Sequence, residues 1–315
     1  MEYMNHTFGN RFILIGLSTN PYLQTVYFVV FLLMYMVTIL GNVLIIVIVR
    51  IDSQLQSPMY FFLTNLSFID LCFSSTIVPR LLINTLSKDK SISFLGCAAQ
   101  MYFHLALGGT ECIILSIMAY DRYVAICNPL RYTTIMNKRI CVHVAVGAWF
   151  ANFLNSISHA FFTFHLPYCR SNHVDHYFCE MPPLFRLSCR DTLMNEIAVY
   201  VSGGLVGLCA FLLTLMSYVQ IISTVMKIRS TKGSRKAFST CSSHLVVVCL
   251  YFGAIVFVYM RPRNSYSPEK DRAVSILYTV VTPMVNPMIY SIRNNEVKGS
   301  LRRMLMPKAH NQTSS

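Results

Sequence analysis

Charged residues are scarce in this chain. They make up 12% of the 315 residues, whereas hydrophobic residues make up 54% and the mean hydropathy is +0.50. Soluble domains usually carry about twice this charged share. The shortage excludes an ordinary soluble protein and indicates a chain whose core lies in lipid.

Motifs of enzymes and transporters are also missing. No HExxH or GxSxG motif stands at the end of a predicted helix, which argues against an intramembrane enzyme. No internal repeat is present, although many secondary transporters are built from such repeats. A transporter or channel is therefore an alternative that the sequence disfavours.

Long apolar stretches are what the chain has instead. Each reaches the roughly 20 residues that a helix needs to cross about 30 Å of hydrocarbon. Each also carries a few polar residues, which is typical of the interior of a helix bundle. We expect an all-α membrane protein with seven transmembrane helices at 23–49, 58–82, 95–126, 141–165, 196–226, 236–260 and 272–292.

These stretches divide the chain into three parts. We predict an extracellular N-terminus over 1–22, a seven-transmembrane receptor domain over 23–292 and a cytoplasmic tail over 293–315. The cationic start of the tail is predicted to form a short amphipathic helix on the membrane.

The distribution of basic residues indicates the orientation. With the N-terminus outside, the inner segments hold 15 of the 26 Lys and Arg residues, and the positive-inside rule favours this arrangement. A glycosylation sequon at Asn5 agrees with it. The net charge of +13 is then largely cytoplasmic, which suits anionic lipids and an acidic protein partner better than nucleic acid.

Four of the eleven cysteines lie on the predicted outer side, at Cys97, Cys169, Cys179 and Cys189. Four cysteines allow three pairings, and at least one bridge should join the long outer loop to helix 3. Disulfides are favoured in a secretory compartment. A metal site is the alternative, because the same region contains His165, His173 and His176.

Helix 3 carries polar residues along its whole length. His104, Glu111 and Arg122 are separated by 7 and 11 residues. At 3.6 residues per turn these intervals fall within about 20° of whole turns, so the three side chains share one face. That face joins the outer third of the membrane to its inner surface.

Two acidic residues are predicted at one depth in the membrane, Asp70 in helix 2 and Glu111 in helix 3. A buried carboxylate is costly unless it is paired, protonated or hydrated. The pair therefore predicts a shared cation, a shared proton, or polar partners such as Asn42 and Asn286.

Ordered motifs make the chain resemble a known family. They read LQSPMYFFLTNLSFID at 55–70, MAYDRYVAICNPLRY at 118–132, KAFSTCSSHLVV at 236–247 and TPMVNPMIYSIRN at 282–294. Together with the outer loop at 167–189 they resemble the olfactory receptors, a branch of the rhodopsin-like G-protein-coupled receptors. KAFSTC resembles the larger, tetrapod-type class.

The resemblance implies a receptor and not an enzyme. It implies a multi-pass plasma-membrane protein that activates a stimulatory, olfactory-type G protein and raises cyclic AMP, without a cofactor. It also implies a sodium-like cation near Asp70 and Glu111, and the disulfide pairs Cys97–Cys179 and Cys169–Cys189. A non-olfactory chemosensory receptor of the same fold remains an alternative.

The resemblance also implies a switch at the inner end, in which Asp121 holds Arg122 at rest and releases it to the G protein. The switch residues that match the family's motifs are Asp121, Arg122, Tyr123, Tyr218, His244, Asn286, Pro287 and Tyr290.

The ligand site is expected in the outer half of the bundle. It would be mainly apolar and would lack an outer-half acid on helix 3, which argues against a biogenic amine and favours a small odorant. Its predicted residues are His104, Leu105, Gly108, Gly109, Cys112, Ser202, Val206, Phe252, Ile255, Tyr259, Ser275 and Thr279. Close helix packing is the alternative for Gly108 and Gly109.

Two positions depart from the family's pattern. Gln56 stands where the family usually has His, and residues 251–253 read Tyr-Phe-Gly in place of Phe-Tyr-Gly. A shift by one residue turns the hydroxyl by about 100° around the helix. We predict that Tyr251 faces a neighbouring helix and leaves Phe252 toward the ligand.

Overall fold

The computed structural model describes residues 11–18, 20–169, 171–227, 231–259, 267–293 and 295–305. It contains the expected bundle. Six helices are long and apolar enough to cross a membrane, and a seventh contains a shorter apolar segment, His244–Val258. The predicted all-α, seven-helix fold is confirmed.

The bundle helices follow one another along the chain. They are α1 (Pro21–Ile51), α2 (Pro58–Leu86), α3 (Phe94–Cys127), α4 (Lys138–Phe164), α5 (Leu193–Lys227) and α6 (Thr231–Tyr259). The seventh, α7, has three joined parts, Pro268–Ile276, Leu277–Val281 and Thr282–Arg293, of which the middle one is a π-helical turn. The predicted amphipathic helix is α8 (Asn295–Leu305).

Polar caps explain why several helices outrun the apolar stretches. α4 begins at Lys138, three residues before its predicted start, because the Asn137 side chain accepts a hydrogen bond from the Ile140 N–H. α7 begins at Pro268 with Glu269 and Asp271 in its first turn. Acidic residues suit a helix N-terminus, but a hydropathy pattern does not include them.

Helix α3 is the centre of the bundle and packs against α2, α4, α5 and α6. Its interior positions are buried over most of its length, and they join the main hydrophobic core. The outer surface of the bundle is apolar: Leu40, Phe150 and Val201 are more than half exposed. This surface is what contact with lipid requires, and the chain is a multi-pass membrane protein.

A small sheet crosses one end of the bundle. Strand β1 (Arg11–Leu14) pairs antiparallel with β2 (Ser91–Ser93) and parallel with β3 (His173–Val174). We call this end, covered by residues 11–18 and 165–192, the capped end. The opposite end, which carries α8, is the tail end. The sequence predicted no strand, because each is only two to four residues long.

Candidate ligand site and switch

At the tail end, Asp121 is buried and its carboxylate accepts a hydrogen bond of 2.8 Å from the Tyr132 hydroxyl. Burial raises the pKa of Tyr132. Arg122 is partly exposed, and within the described residues no ion pair joins it to Asp121. In this arrangement Tyr132 is the hydrogen-bond partner of Asp121, and Arg122 interacts with the same carboxylate electrostatically.

Two more predicted switch residues meet between α5 and α6. Tyr218 and His244 are both buried, and the tyrosine hydroxyl lies 2.7 Å from the imidazole Nδ1. Tyr290 on α7 is buried as well, and its hydroxyl has no hydrogen-bond partner among the described residues. The tail-end motifs therefore converge on the tail end of α3.

In the middle of the bundle, Asn286 donates to both carboxylate oxygens of Asp70, at 3.0 and 3.2 Å. Glu111 is fully buried, interacts electrostatically with Asp70, and has no hydrogen-bond partner for either oxygen among the described residues. Asn42 instead donates to the carbonyls of Thr38 and Pro283. Asn286 is thus the bonded partner of Asp70, and Asn42 braces α1 against α7.

This region presents oxygen atoms and little else. The side-chain carbonyl oxygens of Asn42 and Asn286 have no hydrogen-bond partner among the described residues, and the same holds for both carboxylate oxygens of Glu111. An oxygen-rich set of this kind fits a hard cation. Within the described residues, no group of three or more His, Cys, Asp and Glu side chains is arranged to hold a metal ion.

At the capped end, His104 is 4% exposed and lies among aromatic rings. Its ring centroid is 5.2 Å from that of Phe73, 4.9 Å from Phe178 and 5.9 Å from Tyr278. The rings come from α2, α7 and the loop between α4 and α5. The predicted ligand residue therefore lies in an aromatic cluster that three separate elements build.

Both expected disulfides are present, which decides between the disulfide and metal interpretations of the loop cysteines. Cys97 is bonded to Cys179 and Cys169 to Cys189, with Cα atoms 5.4 and 5.8 Å apart. The first pair joins the loop to α3. Next to it, the Cys179 N–H donates to Gln100 Oε1 at 2.9 Å.

The residues beside Cys179 enter the bundle. The Tyr177 hydroxyl lies 2.9 Å from that of Thr279, and Tyr278 donates to Glu180 at 2.9 Å. All four are at most 3% exposed. The sequence did not predict that Tyr177, Phe178, Glu180 and Tyr278 join this buried assembly. Their proximity to Cys179 was the available signal, because a cysteine bonded to α3 brings its neighbours with it.

The remaining predicted ligand residues divide into three groups. Ser275 and Thr279 are fully buried at the loop contact, and Phe252 is buried beside Phe211. Leu105, Val206 and Ile255 are partly buried, and Cys112 is buried in the main core. The side chain of Tyr259 lies outside the described residues, as does Asn5.

Two predicted ligand residues have other contacts. A Cβ atom at Gly109 would lie 2.9 Å from Asn152 Cγ and closer still to its Oδ1, so Gly109 allows α3 and α4 to pack closely, in agreement with the close-packing alternative. Ser202 lies 2.7 Å from His159 Nε2, which assigns its hydroxyl to the contact between α4 and α5.

The helix-6 departure has the predicted geometry. Tyr251 is 1% exposed and donates to the Gly108 carbonyl on α3 at 2.5 Å. A Cβ atom at Gly108 would lie 3.6 Å from Phe73 and 3.7 Å from the Tyr251 hydroxyl. Tyr251 therefore faces a neighbouring helix, as predicted.

Further contacts secure the cap. Arg272 at the start of α7 donates to the Gly16 carbonyl at 2.9 Å and lies 3.3 Å from Asp175. His176 is fully buried beneath them, with Nε2 3.6 Å from Glu180 Oε2. Burial, with smaller contributions from Arg272 and His104, lowers the pKa of His176 to about 3.

At the tail end, α8 is joined to the rest of the bundle by polar contacts. Tyr60 donates to Glu296 at 2.6 Å, and Arg303 lies 2.5 Å from Asp52. Hydrogen bonds from Ser300 and then Arg303 lower the pKa of Asp52 to about 2. The helix is therefore held against the loop between α1 and α2.

The fold belongs to a known class. Squid rhodopsin, at 17% identity, matches with a TM-score of 0.72 over 92% of this chain and 84% of that chain. The helix bundle thus has the same fold as squid rhodopsin.

Sequence comparison gives the family. The olfactory receptor family model matches residues 31–308. Olfactory receptor-like protein OLF3 of Canis lupus familiaris is 48% identical over 96% of this chain and 95% of its own length. Olfactory receptor 2D2 of Homo sapiens is 49% identical over 96% and 98%. The chain belongs to the olfactory receptor family, whose members bind small molecules, act through G proteins and are not enzymes.

Proposed function

We propose that this receptor binds a small, largely apolar odorant at the capped end and activates a stimulatory, olfactory-type G protein at the tail end. Activation would raise cyclic AMP. In this proposal the capped end and the N-terminus are extracellular. The aromatic cluster around His104 carries the argument for the ligand class.

The chemistry of this cluster favours an apolar ligand with one polar group. Phe73 and Phe178 present rings, while Tyr278 and Glu180 already bond to each other. Aromatic side chains contribute a large apolar area with a specific geometry. His104 supplies a group that can donate or accept one hydrogen bond.

Two features support coupling at the tail end. Arg122 remains partly exposed there, and Tyr218, His244 and Tyr290 are buried around the inner end of α3. An odorant that binds more tightly to one arrangement of α6 would shift the receptor population toward that arrangement. No covalent chemistry is required.

We also propose a sodium ion between α2, α3 and α7, held by Asp70 and Glu111. The buried oxygens of Glu111 and Asn286 that lack hydrogen-bond partners among the described residues support this site. A shared proton is the alternative, because protonation also removes the repulsion between two close carboxylates.

A panel of volatile odorants against the expressed receptor, read as cyclic AMP, tests the function. We expect a concentration-dependent response that disappears in cells lacking the stimulatory α subunit. The same receptor tagged at its N-terminus should bind antibody on intact cells. A response that persists without any G protein would contradict the proposal.

A further inference from the structure

Tyr251 joins the helix that lines the ligand site to the helix that carries His244. Its hydroxyl donates to the backbone carbonyl of Gly108 at 2.5 Å, in a position that is 1% exposed. A carbonyl inside a helix already accepts one backbone hydrogen bond, and its second lone pair remains available. The contact is therefore an additional bond between α3 and α6 in the buried interior.

The order of two residues creates this contact. The Tyr-Phe-Gly order of residues 251–253 places a hydroxyl on α3 and turns Phe252 toward Phe211 on α5, with ring centroids 5.9 Å apart. The reverse order would put a phenyl ring, which has no donor, against Gly108. The bond is thus a property of this chain and not of the fold.

A second bond lies on the same face of α6. His244 precedes Tyr251 by seven residues, an interval about 20° short of two full turns and about 10 Å along the axis. His244 lies 2.7 Å from the Tyr218 hydroxyl on α5. A straight helix turns as one body over two turns, so a rotation that separates His244 from Tyr218 also moves Tyr251 away from Gly108.

We infer that Tyr251 is a positioning residue that holds α6 against α3 in the arrangement described here, which we call the closed arrangement. The bond thereby sets the agonist concentration at which the receptor gives half of its full response. The inference rests on the proposed function. In the signalling arrangement α6 would be displaced from α3 and this bond would be broken. A receptor without the bond would therefore populate the signalling arrangement more, with or without agonist.

The test compares Tyr251→Phe with the wild-type receptor at equal surface density. Losing one buried hydrogen bond should raise basal cyclic AMP by about 2- to 10-fold and lower the agonist concentration for half response. Tyr35→Phe is the matched control, because it removes a hydroxyl that lies 3.0 Å from Ser75 between α1 and α2. That control should leave basal output unchanged.

A double variant covers the case in which Tyr251→Phe does not reach the surface. Tyr251→Phe with Phe252→Tyr keeps the composition and turns the hydroxyl by about 100°. It should raise basal output in the same way. Unchanged basal output and half response would overturn the inference. Lower basal output would overturn it too, because the bond would then stabilise the signalling arrangement.

A readout without the G protein separates this inference from the proposed function. Spin labels at the tail ends of α3 and α6 should show a broader, longer distance distribution in Tyr251→Phe. If the wild type raises no cyclic AMP with any odorant, the proposed function fails, and the distances still test Tyr251. If the wild type responds and the distances are identical, only the present inference fails.

Discussion

The two ends of the bundle are built in different ways. At the tail end, helix side chains meet helix side chains, as in the Tyr218–His244 contact. At the capped end, the N-terminal strand, the long loop and α7 all contribute to one assembly. In the proposed function, the switch would therefore depend on the positions of whole helices, whereas ligand recognition would depend on segments that disulfides and an ion pair hold in place.

The largest effect should come from the tail end. We predict that Arg122→Ala abolishes agonist-evoked cyclic AMP while surface expression persists, because the partly exposed arginine is the proposed contact of the G protein. Arg139→Ala, an exposed arginine at the start of α4, is the control and should retain most output. Wild-type cyclic AMP output from Arg122→Ala would contradict the assignment of the G-protein switch to the tail end.

The capped end should depend more on one disulfide than on the other. The Cys97–Cys179 bond joins residues 82 positions apart, whereas the Cys169–Cys189 bond joins residues 20 positions apart. Replacing both cysteines of a pair by Ser removes the bond and frees the corresponding loop in the unfolded chain. Loop entropy predicts a loss of about 4 to 5 kcal/mol for the first pair and about 3 kcal/mol for the second. Thermal inactivation of agonist binding in detergent measures the order, and equal losses would contradict it.

Acid should loosen the cap. Burial lowers the pKa of His176 to about 3, so the imidazole stays neutral while the cap is closed. In an opened loop the same imidazole would be protonated below about pH 6.5. The stability of the closed cap is complete above that pH and falls by up to about 1.4 kcal/mol per unit below it, or about 2 kcal/mol at pH 5. Glu180, Arg272 and His104 interact with the imidazole, and Asp175 pairs with Arg272.

Amide hydrogen exchange over 171–180 at pH 7 and pH 5 measures this loosening. His176→Phe should flatten the pH dependence, and His143→Phe, at an exposed position on α4, should preserve it. Identical protection at both pH values in the wild type would mean that Glu180 fully compensates the charged imidazole.

A smaller effect is expected within the aromatic cluster. His104→Ala should raise the agonist concentration for half response by about 5-fold, the usual value of one hydrogen bond plus lost ring contacts. Basal cyclic AMP should stay at the wild-type level, since the substitution leaves the tail end intact. Unaltered potency would remove His104 from the ligand contacts.

The smallest effect concerns the middle of the bundle. Wild-type potency should change by about 2- to 3-fold with sodium concentration, the range of a weak allosteric coupling. Asp70→Asn with Glu111→Gln should abolish that dependence. If the double variant matches the wild type at every sodium concentration and pH, neither an ion nor a shared proton links this pair to signalling.

The same contrast explains what could be predicted from the sequence. Hydropathy and helical spacing located seven helices, and contiguous motifs located Arg122, His244 and Asn286, because each motif is a continuous segment of one helix. Two interpretations of Gly109 stayed open, since spacing on α3 does not tell whether a small residue faces a ligand or, as in this structure, Asn152. Tyr177 and Phe178 were missed, because where a loop enters a bundle depends on tertiary contacts.

The Cys97–Cys179 bond also bears on when the proposed ligand site is completed during maturation of the protein. Phe178, which packs against His104, is the immediate chain neighbour of a half-cystine. The bond forms only when the two thiols are oxidised, so Phe178 is tied to α3 after oxidation and not before it. If the proposed ligand site is correct, full recognition of an odorant would therefore require maturation in the oxidising secretory compartment.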